Sequence, residues 1–253
     1  MAAADGPSRI PWLVLVCAGI GLAVLLSLGT WQVKRLAWKE GLLATIHERM
    51  NAAPKPLAEV AAMEKAGEDI DYLAVTATGR FLHDSEQFFF ATHKGASGWY
   101  VYTPLELSDG TGVVFVNRGF VPYDRKEAAT RAGGQVAGEL EITGLARAAP
   151  GEKPSSVVPD NDLAKNVYYW KDLSNMTAQS GFKMSAEVVQ LFVDADDAPN
   201  PDGLPVGGVT MIDLPNNHLQ YAVTWFGLAL ALLGVGGRFL YARIVNERKT
   251  ARS

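Results

Sequence analysis

The sequence has few of the residue patterns on which catalysis or metal binding usually depends. Cys17 is its only cysteine, which excludes an intramolecular disulfide, a Cys-x-x-Cys redox pair and a zinc site made of cysteines. His47, His83 and His93 have no metal-ligand spacing. The chain contains no Gly-x-Ser-x-Gly, no His-Glu-x-x-His and no glycine-rich phosphate loop, so the sequence predicts no enzyme activity.

Basic residues are scarce in the middle of the chain. The formal net charge is −4, from 23 basic and 27 acidic residues. Arg9 and Asp5 precede the first of the two apolar runs described next. Glu247 and five basic residues follow the second run, namely Arg238, Arg243, Arg248, Lys249 and Arg252. This leaves 17 basic and 25 acidic residues between the runs. Because phosphate binding needs clustered lysine and arginine, this acidic segment argues against nucleic acid as a partner.

Two runs without a charged residue, 10–29 and 219–237, lie near the ends of the chain. As a helix, each run is about 30 Å long, which matches the hydrocarbon core of a bilayer. A helix satisfies its own backbone hydrogen bonds in lipid, so both runs are predicted to be transmembrane. The first run is longer than the apolar part of a typical signal peptide and lacks an Ala-x-Ala-like cleavage site, which favours an uncleaved anchor.

The predicted organisation follows from these two spans. It comprises an N-terminal segment at residues 1–9, a first span at 10–30, a central domain at 31–215, a second span at 216–240 and a basic tail at 241–253. The positive-inside rule places the basic tail and the N-terminus in the cytoplasm, and the central domain on the outer side of the membrane. Lys34, Arg35 and Lys39 oppose this orientation, but long domains cross membranes largely regardless of charge.

Strand and turn patterns dominate the central domain. Runs rich in Val, Thr, Tyr and Phe predict strands at 72–81, 87–92, 99–107, 112–120, 139–147 and 187–194. Short helices are predicted at 57–65, from Asp124 to Arg131 and after Asp172, and the first apolar helix is predicted to continue as a rod until Pro54. The predicted fold class is a membrane protein in which two transmembrane α-helices flank one antiparallel, β-rich α+β domain.

His218 lies where the second span begins. Asn216 or Asn217 can cap this helix, which places His218 in its first turn, with Tyr221 and Trp225 on the same face. One interpretation is an interfacial anchor, since tyrosine and tryptophan favour the aromatic belt of a membrane. The other is a haem ligand, because neutral imidazole binds iron and aromatic neighbours can flank a porphyrin. The spacing does not decide between the two.

Trp31 lies where the first span leaves the membrane, at the depth of His218 in the predicted topology. The cations that follow it, Lys34 and Arg35, have two interpretations. They either snorkel to lipid phosphates or pair with carboxylates such as haem propionates.

Two weaker patterns lie elsewhere. Small-xxx-small patterns that start at Gly19 and Gly227 allow the spans to pack on each other or on a partner. Arg118 ends a strand and is either a ligand contact or, as we prefer, a structural arginine paired with a local acid.

Taken in order, several residue strings resemble those of one family. They are LGTWQ at 28–32 with Arg35 and Lys39, YTPL at 102–105, VNRGFVP at 116–122, Tyr169-Trp170, and NNHLQYAVTWF at 216–226. These strings are similar to the Surfeit locus protein one family of cytochrome c oxidase assembly factors, and they extend over nearly the whole chain. Phe120 stands where a tryptophan is common in that family, which is a conservative change.

The resemblance implies a bacterial inner-membrane protein with a periplasmic domain that is not an enzyme and assists insertion of haem a into oxidase subunit I. It implies that the histidine matching His218 ligates the haem a iron. Trp31, Arg35, Tyr221 and Trp225, chosen above by position and residue type, are the further cofactor-binding candidates. The implied partners are membrane lipid, subunit I and haem a synthase. The alternative is a scaffold that binds oxidase subunits without carrying haem.

Overall fold

The computed structural model describes residues 12–181, 188–210, 212 and 215–250. Its internal contacts divide the chain into two units, one made of residues 1–44 and 213–253 and the other of residues 45–212. The predicted N-terminal segment 1–9, the end of the tail at 251–253 and Glu187 at the start of the last predicted strand lie outside the described residues.

The α-helices of the described residues are α1 Trp12–Asn51, α2 Leu57–Lys65, α3 Leu173–Gln179 and α4 His218–Thr250. At 40 and 33 residues, α1 and α4 are longer than the roughly 20 residues that cross a hydrocarbon core. The end of α1 at Asn51 confirms the predicted rod before Pro54. The side chain of Asp172 accepts a hydrogen bond from the backbone N–H of Asn175 at 3.1 Å, which confirms it as the cap of α3.

Eight strands of the described residues form one sheet: β1 Lys55–Pro56, β2 Ala74–Phe81, β3 Gln87–His93, β4 Ala96–Leu107, β5 Val113–Pro122, β6 Glu139–Ala148, β7 Val167–Tyr168 and β8 Val188–Ala195. Five of them close into a barrel in the order β2, β6, β8, β5, β4, because β4, the last of the five, also pairs with β2, the first. β3 and β7 continue the sheet beyond β4, and β1 adds to β2. The six long strands predicted from the sequence are confirmed to within a few residues at each end.

The barrel closes where β4 changes its pairing partner. The first part of β4 pairs with β3 as far as Tyr102, and its last three residues pair with β2. Pro104 lies between these two ladders, where its missing N–H removes no strand hydrogen bond. Where β2 pairs with β4, a Cβ on Gly79 would lie 2.2 Å from the carbonyl oxygen of Glu106. Any side chain at this position would therefore force the two strands apart.

Two apolar clusters hold the barrel domain together. The first joins α2 to the barrel and includes Leu57, Val60, Val75, Leu105, Val114 and Leu191. The second is largely aromatic and includes Phe89, Tyr102, Phe115, Tyr168 and Phe192. Burying each of these large side chains contributes about 1.5–3 kcal/mol, so the clusters supply most of the drive to close the sheet.

The prediction of an antiparallel sheet is wrong at three strand pairs. β5 and β8, β1 and β2, and β3 and β7 run parallel. Strand propensity marks which segments are extended, but the direction of a strand depends on the path of the chain that connects it. Between β5 and β8 the chain forms β6, β7 and α3, and this path returns it to the end of the sheet at which β5 began.

The helix predicted from Asp124 to Arg131 is also wrong. Two 3-10 segments, Tyr123–Arg125 and Ala128–Gly134, replace it. Glu127, between the two, is extended, with φ −67° and ψ 131°, and Arg131 has the non-helical angles φ −143° and ψ 43°. Arg131 leaves the helical conformation because its side chain enters the interior to reach Glu86.

Glu86 is the buried carboxylate that holds this segment to the barrel. It accepts hydrogen bonds from Arg131 at 3.2 and 2.5 Å and lies 3.5 Å from Arg118. All three side chains are at most 4% exposed. Arg118 also donates to the carbonyl of Gly134 at 2.5 Å and to the side chain of Asn200 at 3.2 Å. Arg118 is therefore a structural arginine, as the sequence analysis preferred.

The surroundings of Glu86 keep it charged. Burial alone would raise the pKa of its carboxyl, but the neighbouring His83 and Arg131 outweigh burial and lower that pKa from 4.5 to about 2. Burial lowers the pKa of Arg118 to about 10, so this side chain stays protonated at neutral pH. Because the folded pKa of Glu86 lies below its unfolded value, its stabilisation is complete above pH 4.5 and is lost as the pH falls toward 2.

Replacing Glu86 with glutamine is expected to lower the free energy of unfolding by about 3–5 kcal/mol, because two buried guanidinium groups lose their anion. The measurement is denaturant unfolding of the detergent-solubilised chain, followed by tryptophan fluorescence, at about pH 7 and about pH 3. Glu106→Gln, which removes an exposed pair with Arg80, is the control and is expected to cost less than about 1 kcal/mol. Equal losses in the two variants, or a pH dependence that Glu86→Gln leaves unchanged, would contradict this role.

Candidate ligand site at the helix pair

α1 and α4 have the length and composition of membrane helices. Each contains an apolar window of 18 residues of which only 6% is buried. The core helix of a soluble domain would bury most of such a window, because its apolar face packs against the protein. The two helices are therefore candidate membrane spans, with apolar surface available to lipid.

The two helices pack as an antiparallel pair. The contacting residues are Gly21 with Leu232, Gly29 with Phe226, and Gln32 with His218. Later residues of α1 contact earlier residues of α4, so the two helices run in opposite directions. A Cβ on Gly29 would lie 2.8 Å from the ring of Phe226, so the absence of a side chain at this position sets the helix spacing. Small residues have this role in membrane helices because they let backbones approach closely.

The small-residue patterns at Gly19 and Gly227 do not form this contact. A Cβ at either position would meet no atom of the described residues within 4 Å. Gly21 and Gly29 lie on the packing face of α1 instead. The prediction that the small-xxx-small patterns pack the two spans together is therefore wrong, because such a pattern occurs by chance on any face of an apolar helix. Docking of a partner at Gly19 or Gly227 stays a prediction.

His218 is held from two sides at the first residue of α4. Its backbone N–H donates to the side-chain oxygen of Asn216 at 3.4 Å, while the carbonyl of Asn217 accepts from the N–H of Tyr221, so both predicted caps contact the first turn. Its imidazole Nδ1 lies 2.7 Å from Oε1 of Gln32 on α1. In the part of the chain that the structure describes, no hydrogen bond or ion pair joins the other ring nitrogen, Nε2, to a protein group. The imidazole is thus held through one nitrogen and presents the other.

The other predicted cofactor-binding residues are Trp31, Arg35, Tyr221 and Trp225. Within the described ranges, none makes a hydrogen bond, ion pair or ring contact with His218. Trp31 and Tyr221 are 56% and 53% exposed, and Trp225 is half-buried. The guanidinium of Arg35 lies 3.9 Å from the ring of Trp38. The roles of these four residues stay predictions, as does the ligand role of His218.

Sequence reasoning missed Gln32, which lies in one of the family strings but received no role. Its side chain is only 8% exposed. Gln32 follows Gly21 and Gly29 by 11 and 3 residues, which is helical spacing, so the packing face of α1 marks it as a polar group turned toward α4. Lys39, farther along α1, donates from Nζ to the carbonyl of Pro215, which precedes α4. These two contacts hold the start of α4 against α1.

A second concave surface lies in the barrel domain, and none of the predicted cofactor-binding residues lines it. It is a cleft of about 480 Å³ with aromatic walls from β3 and β4. Asp194 at its base accepts a hydrogen bond from Asn117 at 3.0 Å and lies 3.9 Å from Lys171. Arg147 lies 3.5 Å from Asp71. The cations of the cleft therefore have acidic partners of their own, and its charge indicates no class of ligand.

A metal site made by several side chains has no support in the structure. Among the described residues, no three His, Cys, Asp or Glu side chains are grouped so that they would hold an ion.

The fold and the helix pair define a class of protein, namely one with two candidate membrane helices that flank a β-barrel domain. A model of the SURF1 family matches residues 20–230. Surfeit locus protein 1 of Rattus norvegicus is 35% identical over 245 residues, which are 91% of this chain and 75% of the relative. The protein of the same name in Homo sapiens is 32% identical over 244 residues, which are 90% of this chain and 76% of that relative. A SURF1-like protein of Monosiga brevicollis is 35% identical over 227 residues, which are 84% of this chain and 82% of that relative.

The chain therefore belongs to the SURF1 family, a family of cytochrome c oxidase assembly factors. This confirms the resemblance that the residue strings indicated. The three relatives come from eukaryotes, so they do not bear out the expected bacterial origin of this chain.

A side chain at Gly29 is expected to separate the helices, because it would collide with Phe226. The measurement is the yield of a disulfide between cysteines introduced at Gly21 and Leu232, with Cys17 changed to serine. Gly29→Val is expected to reduce this yield severalfold, and Phe226→Ala in the same chain to restore it. Gly19→Val, which meets open space, is the control. Equal yields for the Gly19 and Gly29 variants would contradict the packing.

Proposed function

We propose that this protein is a non-enzymatic chaperone that holds haem a at the membrane surface and passes it to subunit I of cytochrome c oxidase. The observation that carries the proposal is the imidazole of His218, which is fixed through Nδ1 and offers Nε2. Membership of the SURF1 family supports the oxidase as the destination. In this proposal haem a is cargo, and its iron accepts the imidazole as an axial ligand.

The residues near the ends of the helix pair suit the chemistry of this cargo. Trp31 and Tyr221 present exposed aromatic surface, to which an apolar macrocycle can bind. Arg35 has an exposed guanidinium, the group best suited to a propionate. The apolar surfaces of α1 and α4 suit an isoprenoid tail, which belongs in lipid. One histidine without a second strong protein ligand is appropriate for a cargo that must leave.

The test is the haem a content of protein purified from cells that make haem a. His218→Ala is expected to lower the bound haem a roughly tenfold or more, because the iron loses its protein ligand. His47→Ala, which removes an exposed histidine in the other unit, is expected to leave the content unchanged. Equal absorption spectra for all three proteins would reject the ligand.

The scaffold alternative makes a different prediction in the same cells. If the protein only gathers oxidase subunits, subunit I co-purifies undiminished with His218→Ala and with wild type made without haem a synthesis. If haem a is the cargo, at least one of these changes lowers the amount of subunit I that co-purifies. Co-purification of haem a synthase would identify the donor.

We further propose that the protein lies in a bacterial inner membrane with its barrel domain in the periplasm, as the basic tail indicates. An impermeant maleimide applied to spheroplasts tests this orientation in a chain in which Cys17 is changed to serine. Val157→Cys, at a position that is 89% exposed in the barrel domain, is expected to react at once. Lys249→Cys, in the tail, is expected to react only after lysis. The opposite pattern would place the barrel domain on the cytoplasmic side.

A further inference from the structure

We propose that Gln32 is a positioning residue that fixes His218 as the Nδ1–H tautomer and so makes Nε2 the atom that binds a metal. The part of this inference that concerns metal binding rests on the proposed function. The tautomer itself does not, because it follows from the hydrogen bond between the two side chains.

The chemistry of the acceptor decides where the proton lies. Nδ1 of His218 is 2.7 Å from Oε1 of Gln32, and an amide oxygen only accepts hydrogen bonds. The proton is therefore on Nδ1, and in the neutral ring the lone pair is on Nε2. A histidine side chain free in water favours the opposite tautomer, with its proton on Nε2. The protein must therefore supply an acceptor to present Nε2 as a ligand, and Gln32 is that acceptor.

The position of Gln32 in the helix pair makes this hydrogen bond a fixed one. Gln32 is 8% exposed, and it lies one helical turn from Gly29, where α1 contacts Phe226. On α4, Ala222 lies one turn after His218 and is 2% exposed. Gln32 is buried and His218 is partly buried, so their hydrogen bond is partly shielded from water and strengthened by the lower local dielectric. The helix spacing thus holds Oε1 where the imidazole needs it.

A neutral amide also limits the strength of ligation. A carboxylate at this position would make the imidazole more basic and hence a stronger ligand, as carboxylate partners do for histidines at permanent metal sites. The amide fixes the orientation of the ring with less electron donation. This suits a site from which the cargo must be transferred.

The first experiment observes the tautomer directly, without haem. The full chain, labelled with ¹⁵N-histidine and purified in detergent, is studied by long-range ¹H–¹⁵N correlation at about pH 8, where neutral imidazole predominates. The signal of His218 is assigned by its loss in His218→Ala. We expect the Nδ1–H pattern in wild type, an Nε2–H pattern in Gln32→Leu, and the Nδ1–H pattern again in Gln32→Glu, which keeps an acceptor.

Gln220→Leu is the matched control, because it removes an exposed glutamine close to His218 on α4 and should leave the wild-type pattern. An Nε2–H pattern in wild type would overturn the inference. So would an unchanged pattern in Gln32→Leu. If Gln32→Leu fails to fold, the wild-type and Gln32→Glu patterns still decide.

The second experiment measures haem a binding. Gln32→Leu is expected to weaken retention of haem a by about 10–100-fold, and Gln32→Glu to strengthen it and lower the reduction potential of the bound haem. A merely structural role of Gln32 would not produce opposite effects of leucine and glutamate. If His218→Ala keeps its haem a, the proposed function fails, while the tautomer result stands by itself. If His218→Ala loses haem a but the Gln32 variants do not differ from wild type, the positioning role alone fails.

Discussion

The antiparallel contact between α1 and α4 is the constraint on which the candidate site depends. In lipid, apolar side chains gain little by meeting each other, so helices associate through close packing and hydrogen bonds between polar groups. Gly29 supplies the close approach, and Gln32 and His218 supply the hydrogen bond. Each of these polar side chains would be costly in an apolar surrounding without the other. The same contact therefore stabilises the helix pair and orients the imidazole.

The barrel domain depends on a different kind of constraint. Its sheet closes through a glycine at Gly79, and the segment after β5 is held by the buried carboxylate of Glu86. A buried ion pair contributes little net stability compared with apolar packing, but it is costly to break because either partner alone would be a buried charge. Glu86 and its two arginines thus specify one arrangement of the segment between β5 and β6. Arg118, which lies in a string shared with the family, serves this arrangement.

Together, the two units suggest a division of labour. The helix pair contains His218, the residue proposed to ligate haem a, and Arg35, the cation proposed to pair with a propionate. The barrel domain has a cleft whose charges are already paired with one another, so it offers no comparable chemistry. A site that uses one imidazole and an amide acceptor is suited to temporary binding. Permanent haem and metal centres commonly strengthen the histidine with a carboxylate partner.

Features that depend on local physics could be predicted from the amino-acid sequence. The length of the apolar runs, the β-branched and aromatic segments and the cap at Asp172 predicted the membrane helices, the long strands and α3, because propensity and hydropathy act over neighbouring residues. The string around His218 predicted the family and the candidate residue. Three features became visible only in the folded chain: the parallel pairing of β5 with β8, the burial of Arg131 that replaced a predicted helix, and the hydrogen bond between Gln32 and His218. These depend on contacts between residues far apart in the chain, 186 positions in the case of that hydrogen bond, and no local pattern encodes which distant groups will meet.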